Sequence, residues 1–282
     1  MRVYQNKKEI KEVLLESKSK KKSIGLVPTM GALHFGHLSL VKRALANNDT
    51  VVVSIFVNPT QFDNTEDLEK YPSNIESDIA LLTSVSKEII VFAPTKIEIY
   101  DGNVRSKSFD FNGLEKVMEG KYRAGHFDGV ATIVELLFKA VKPTRAYFGE
   151  KDFQQLQIIK KLVEQSNLDL EIVACPIERE SNGLALSSRN ERLSKPTREA
   201  AGFIHQTLQS AKIKFGTENA YDIQAWVSKQ FRKNPRFELE YFEITDVDTL
   251  TPIIENHATK EYRAFIAVYA EGIRLIDNIA LN

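Results

Sequence analysis

The chain has one cysteine, Cys175, and one tryptophan in 282 residues. A lone thiol excludes an intrachain disulfide and any zinc cluster built on several cysteines, and it points to a reducing compartment. Charge of neither sign is in excess, since 38 Lys and Arg balance 38 Asp and Glu. Zero net charge argues against a polyanion binder held by counterion release, so no nucleic acid partner is expected. No apolar run approaches the roughly 18–20 residues that a membrane helix needs. The amino-terminal MRVYQNKKEI lacks the apolar segment of a signal peptide. Repeats and low-complexity tracts are also missing. The expectation is a soluble cytoplasmic protein with no membrane partner. With 43% hydrophobic residues, the chain can bury a full core in one large domain or two modest ones.

What is present alternates. Ile10, Val13 and Leu14 fall at helical spacing. SIGLVP (residues 23–28) reads as a short buried strand, and residues 36–46 as a helix with Leu38, Val41 and Leu45 inward. VVVSIFV (51–57) is a β-branched run of the kind found in parallel strands covered on both faces. Helices are expected over 75–82, 130–140 and 153–164, and strands over 88–92, 145–148 and 170–174. The lysine-rich SKSKKKS (17–23) is expected to be a solvated loop. Strand then helix, repeated, predicts a Rossmann-like, doubly wound parallel α/β sheet. After Cys175-Pro176 the pattern changes to two helices (195–211 and 220–231), followed by strands at 237–244, 262–269 and 273–276, with a hairpin turn at Ala270-Glu271-Gly272. This predicts a smaller α+β carboxyl-terminal domain with an antiparallel sheet, and a division into residues 1–178 and 179–282.

Five segments carry chemistry. PTMGALHFGH (28–37) begins where a strand ends and runs into a helix, the junction at which open α/β sheets bind ligands. His34 and His37, three apart, share the first helical turn. The free N–H groups and dipole there favour an anion, so the pair suits a phosphate whose charge grows during reaction. NPTQF (58–62) follows the VVVSIFV strand, and its amides Asn58 and Gln61 suit hydroxyls or a carboxylate. GEKDFQQ (149–155) follows another strand. Gly149 would allow a turn and Asp152 a helix cap, while Lys151 conflicts with the helix dipole unless an anion is present. GLALSSRN (183–190) offers Ser187, Ser188 and Arg189 to polyphosphate. MEGKYRAGHFDGV (118–130) holds Arg123 and His126 as candidate anion contacts, His126 being equally readable as a structural histidine, and Gly120, Gly125 and Gly129, which imply tight turns. His205 and His257 stand outside any constellation. Walker, GxGxxG and GxSxG signatures are absent.

These motifs, with DLEKYP (67–72), occur in an order that closely resembles the pantothenate synthetase (pantoate–β-alanine ligase) family over residues 23–195. HxGH alone would indicate only the wider nucleotidyltransferase superfamily. The resemblance implies a Rossmann-like domain, a smaller lid domain and a homodimer. It also implies ATP with Mg²⁺, and pantoate and β-alanine as substrates. The pantoate carboxylate would attack the α-phosphorus of ATP to give a pantoyl adenylate and diphosphate. The β-alanine amine would then expel AMP to give pantothenate.

By the same resemblance Met30, Gly31, Ala32, Leu33, His34, Phe35, Gly36 and His37 bind ATP, with His37 at the position of the proton donor. Gly149, Glu150, Lys151 and Asp152 form a nucleotide-binding turn, and Glu178, Leu186, Ser187, Ser188 and Arg189 complete the ATP site. His34, His37, Lys151 and Arg189 are the catalytic set. Gln61 and Gln155 are the pantoate ligands, Gln61 also meets β-alanine, and Asn58 and Tyr71 line that pocket. Two positions depart from the family pattern. Glu178 stands where an apolar residue is common beside adenine. Ser77 and Asp78 stand where two adjacent acids are common, so the metal is expected to ride on the ATP phosphates. The competing readings are a nucleotidyltransferase for another small substrate and a non-catalytic nucleotide- or RNA-binding protein.

Overall fold

Up to residue 175 strand-forming runs alternate with helices, and the structure converts that alternation into a parallel sheet. The structure is a computed structural model that describes residues 1–62, 65–253, 255, 257 and 259–282. Six strands, β1 (Arg2–Tyr4), β2 (Ile24–Thr29), β3 (Thr50–Ile55), β4 (Ile90–Phe92), β5 (Arg145–Gly149) and β6 (Glu171–Cys175), lie in the order β1-β4-β3-β2-β5-β6. Every neighbouring pair is parallel. Val51, Val52 and Val53 are at most 2% exposed, as expected for a strand covered on both faces. From β2 the chain steps outward through β3 to β4, then returns to lay β5 on the other side of β2. The crevice outside the carboxyl ends of β2 and β5 is therefore the topological switch point, the usual ligand position in an open α/β sheet. The three-residue edge strand β1 is too short to leave a periodic signal in the sequence.

The helices follow local chemistry. Asn6 caps Lys7–Ser19 by accepting from the Glu9 N–H at 2.9 Å, and Ile10 and Leu14 are fully buried on its inner face. That helix runs into the lysine-rich segment, so Ser17–Ser19 are helical and only the residues after them form the expected loop. Lysine is a good helix former, and Lys18 favours a helix carboxyl end. The apolar helix expected over 130–140 extends over His126–Val141. The single helix expected over 195–211 is divided into Lys195–Ala200 and Gly202–Phe215. A Cβ on Gly202 would lie 2.2 Å from the Asn182 carbonyl oxygen, so close backbone approach demands glycine there.

The described residues divide into two compact units. One comprises Met1–Glu150 and Gln155–Pro176, the other Lys151–Gln154 and Ile177–Asn282. The second contains β7 (Glu238–Asp246), β8 (Tyr262–Ala270) and β9 (Ile273–Ala280), antiparallel in the order β7-β8-β9. Helices Gly202–Phe215 and Ala220–Arg232 pack on this sheet around Leu208, Ile223, Val227 and Ile266, all fully buried. Ala270 pairs with Ile273, leaving a two-residue turn of Glu271 (φ 52°) and Gly272 (φ 74°), the left-handed pair that matches strand twist in a tight hairpin.

Candidate active site

At the carboxyl end of β2 the chain enters left-handed backbone twice, at Gly31 (φ 82°) and Ala32 (φ 49°). Asp78 makes this turn possible. Its carboxylate is 2% exposed and accepts the N–H groups of Ala32 at 3.1 Å and Leu33 at 2.7 Å. Burial pushes the Asp78 pKa up, and the bonds from Leu33 and Ala32 oppose that rise. A Cβ on Gly31 would stand 2.9 Å from Asp78 Oδ2, so the site requires glycine sterically as well as conformationally. In the sequence Asp78 figured only as half of a departed acid pair, and its role in this turn went unseen. The available signal was its spacing of four from Leu82, which puts a carboxylate on the buried face of Ile75–Val85.

The turn delivers His34 to the N-cap of helix Phe35–Asn47. His34 Nδ1 accepts the Gly36 N–H at 3.1 Å, and His37 Nδ1 accepts the His34 N–H at 3.3 Å. The ring centroids are 4.1 Å apart. With both Nδ1 atoms accepting, each neutral ring carries its hydrogen on Nε2, so the pair offers two Nε2–H donors at a helix amino terminus. No acidic residue lies in that first turn.

The carboxyl end of β3 leads to the short 3-10 turn Pro59–Gln61. Asn58 is 1% exposed and turned inward. Its Oδ1 accepts from Tyr100 and Thr60, and its Nδ2 donates to the Gly129 carbonyl at 3.1 Å and to Gln61 Oε1 at 3.0 Å. Asn58 therefore orients Gln61. With Oε1 engaged, the Gln61 amide presents its NH₂, 3.1 Å from the Met30 sulfur. His126 is 6% exposed and engages Gln61 through its backbone carbonyl at 2.9 Å. Gly129 is not in a turn as expected: it lies inside His126–Val141, where a Cβ would come within 2.3 Å of the Thr60 carbonyl oxygen. Tyr71 packs edge-on against Phe62 at 5.7 Å.

At the carboxyl end of β5, Gly149 has ordinary negative φ and nothing within 4 Å of where a Cβ would be, so its glycine leaves open space and is not forced by a turn. The 3-10 turn Glu150–Asp152 runs straight into helix Phe153–Gln165, so Asp152 sits within a helical run. Gln155 is half-buried on that helix. Met30–His37, Gln61, Gly149, Glu150 and Gln155 thus belong to segments leaving three adjacent strands, β3, β2 and β5, at one sheet edge.

Lys151 and Asp152 group with the second unit, together with Glu178 and Leu186–Arg189. The Lys151 side chain is 19% exposed and 3.7 Å from Asp152 Oδ1. Glu178 accepts the Leu186 N–H at 2.9 Å, and Arg179 bridges to Ala185, so residues 178–186 form a narrow hairpin. The Glu178 carbonyl is engaged in that pairing. Ser187 caps the 3-10 turn Ser188–Arg192 by accepting from the Arg189 N–H at 3.3 Å. Arg179 makes a bidentate pair with Asp277 at 2.6 and 3.0 Å, and Asn278 donates to the Lys151 carbonyl. Asp277 and Asn278 both lie on β9 without an alternating pattern that would single them out. His205 Nδ1 stands 3.9 Å from Asp277 Oδ2, and burial lowers its pKa.

A family model described as pantoate-beta-alanine ligase matches residues 2–280. The chain is 58% identical over its full length to a pantothenate synthetase of Christiangramia forsetii, and 54% identical to one of Flavobacterium psychrophilum, both covered completely. Among solved structures it resembles a pantothenate synthetase from Thermus thermophilus, with 38% identity, a TM-score of 0.91, and 100% of this chain and 99% of that one covered. It also resembles a pantoate-beta-alanine ligase from Francisella tularensis complexed with beta-gamma ATP and beta-alanine, with 36% identity, a TM-score of 0.82 and coverage of 100% and 98%.

Proposed function

From the premise that this chain belongs to the pantoate–β-alanine ligase family, we propose that it condenses pantoate with β-alanine and ATP to give pantothenate, AMP and diphosphate. The observation that carries the mechanism is the His34–His37 pair, both Nδ1 atoms accepting backbone N–H groups at the amino end of a helix on the sheet's switch point. A carboxylate approaching a phosphate is repelled. Two fixed Nε2–H donors and the positive end of the helix dipole counter that repulsion and stabilise the charge that grows on the α-phosphate.

The pantoate carboxylate oxygen bonds to the α-phosphorus as the bond to diphosphate breaks. Lys151 and Arg189, with Ser187 and Ser188, neutralise the departing diphosphate. Gln61 and Gln155 hold pantoate through its carboxylate and hydroxyls, the Gln61 amide being presented as a donor by Asn58. The amine of β-alanine, also met by Gln61, then attacks the acyl carbon and AMP leaves. His37 serves as proton donor. Met30–His37, Gly149–Asp152, Glu178 and Leu186 form the rest of the ATP site, with no atom within 4 Å of where a Cβ on Gly149 would stand.

Magnesium enters this scheme with the ATP phosphates. Both Asp78 oxygens accept backbone N–H groups, Ser77 is no carboxylate, and among the described residues no three His, Cys, Asp or Glu side chains are grouped as metal ligands. We assign the working species as a cytoplasmic homodimer, with residues 1–178 as the ATP- and pantoate-binding domain and 179–282 as a smaller lid domain. Among the described residues no helix is long and apolar enough to cross a membrane. The test is AMP release with pantoate, measured with and without β-alanine. Pantoate-dependent exchange of diphosphate into ATP without the amine is the expected sign of the adenylate. Absence of both activities would overturn the reading.

A further inference from the structure

We propose that His126 is a positioning residue for Gln61: its Nδ1–H, fixed by Arg123 on the opposite ring nitrogen, holds the Gln61 carbonyl and so sets where the Gln61 amide meets the acid substrate. The inference rests on the assignment of Gln61 to pantoate made above.

The tautomer follows from which partners can donate. A carbonyl oxygen only accepts, so the 2.9 Å contact from Nδ1 to Gln61 O places a hydrogen on Nδ1. A guanidinium only donates, so the 3.1 Å contact from Arg123 Nη1 requires a lone pair on His126 Nε2. Together they select the neutral ring with its hydrogen on Nδ1, the opposite tautomer to that of His34 and His37. Arg123 Nη1 lies 3.7 Å from Glu119 Oε2, and the Glu119 side chain is 10% exposed, so the guanidinium has a buried counter-charge.

The same helix end holds the Gln61 turn at further points. The Gly129 carbonyl accepts from Asn58, which also binds Gln61 Oε1. Gly129 lets the Thr60 carbonyl approach to where no Cβ fits. His126 and Gly129, three residues apart, therefore clamp backbone and amide of one turn from one helical face. The Gln61 amide has its oxygen engaged by Asn58 and its nitrogen directed at the Met30 sulfur, which takes one of its two hydrogens, so its aim depends on the backbone that His126 holds. Small displacements of a substrate-positioning group carry large kinetic effects.

The experiment compares His126→Ala, His126→Asn, His126→Gln and Gln61→Ala in the full chain. It measures kcat, KM for pantoate, KM for ATP and the thermal midpoint. Asparagine carries an amide N–H at the δ position and can replace Nδ1–H, whereas glutamine carries it one atom further out. The expected result is a rise of about tenfold in KM for pantoate in the Ala and Gln variants. KM for ATP should stay within about twofold, and His126→Asn should stay within about threefold of the parent on every parameter. If His126→Ala fails to fold, the Asn and Gln pair decides. An Asn variant as poor as the Gln variant, or losses in pantoate and ATP kinetics that track the thermal midpoint equally, overturns the proposal in favour of a purely structural histidine. Gln61→Ala separates the two readings. If it leaves pantoate use intact, the Gln61 assignment is wrong. If it impairs pantoate use while the His126 variants do not, only the positioning role is wrong.

Discussion

The side-chain amide of Asn278 donates to the main-chain carbonyl of Lys151 at 2.9 Å. The neighbouring Asp277 takes Arg179 in a bidentate pair, and Arg179 also donates to the Gly183 carbonyl at 3.0 Å. Two adjacent residues of β9 thus hold both the lysine turn and the hairpin that leads to Ser187–Arg189. Arg263 adds a second brace, its guanidinium 4.0 Å from the centre of the Phe153 ring, two residues beyond the lysine.

If Lys151 neutralises departing diphosphate, Lys151→Ala lowers kcat by at least about 10²-fold, the scale of losing one electrostatic donor. Asn278→Ala should keep the lysine but release its backbone, lowering kcat by a smaller factor and stability by about 1–3 kcal/mol, because the Lys151 carbonyl loses this donor and the buried Arg263 guanidinium loses an acceptor. Steady-state kinetics beside denaturant unfolding checks both. Full activity in Lys151→Ala removes it from the mechanism.

His37→Ala should also lower kcat by at least about 10²-fold. His37→Gln restores an amide N–H at the ε position and should recover part of that loss, whereas His37→Asn should not. Equal rates for Gln and Asn would show that the Nε2–H is not the working donor.

Gly31→Ala places a side chain at φ 82° and 2.9 Å from the Asp78 carboxylate. The expected cost is about 1–3 kcal/mol of stability from the backbone alone, with weaker ATP binding because the turn that delivers His34 and His37 is displaced. Isothermal titration with ATP and a melting curve would measure the two effects. Unchanged ATP affinity would dissociate this turn from the nucleotide.

Gln155→Ala should raise KM for pantoate by about tenfold, the scale of a hydrogen bond to a charged group, and leave KM for ATP nearly unchanged. Initial rates with each substrate varied in turn will show this. A defect confined to ATP contradicts the assignment.

Acid should weaken the second unit through Asp246. Burial opposes ionisation of this carboxyl, but hydrogen bonds from the Thr249 backbone and side chain, Lys260 and the Asp248 backbone outweigh it, holding its pKa down to about 2 against the usual 3.8. A depressed folded pKa gives stability that is full above 3.8 and is lost as pH falls toward 2. Unfolding free energy measured across that window should fall less steeply in Asp246→Asn than in the parent. Identical slopes would exclude the contribution.

Local periodicity and composition were enough for much of the architecture. VVVSIFV had the β-branched character of a strand covered on both faces, and its first five residues lie in β3 (Thr50–Ile55); the amphipathic runs marked helices, and the change of pattern after Cys175-Pro176 marked a different kind of sheet. The motif residues were legible because their chemistry is local: HxGH at a strand-to-helix junction already places two imidazoles on one helical turn. The split at Ala201 was not legible, because it depends on the Asn182 backbone, about twenty residues away.

The residues that hold the motifs in place are those that only the tertiary structure could decide. Asp78 serves a loop 45 and 46 positions earlier in the chain, His126 a carbonyl 65 positions earlier, and Asn278 a carbonyl 127 positions earlier. None of those separations has a period that sequence inspection can detect. Sequence by itself determined the fold class, the balanced charge and the chemical groups available to a phosphate and an acid. Tertiary structure decided which nitrogen of His126 carries the hydrogen, how the Gln61 amide is turned and which glycines are sterically required, because each depends on partners far apart in the chain that meet only on folding.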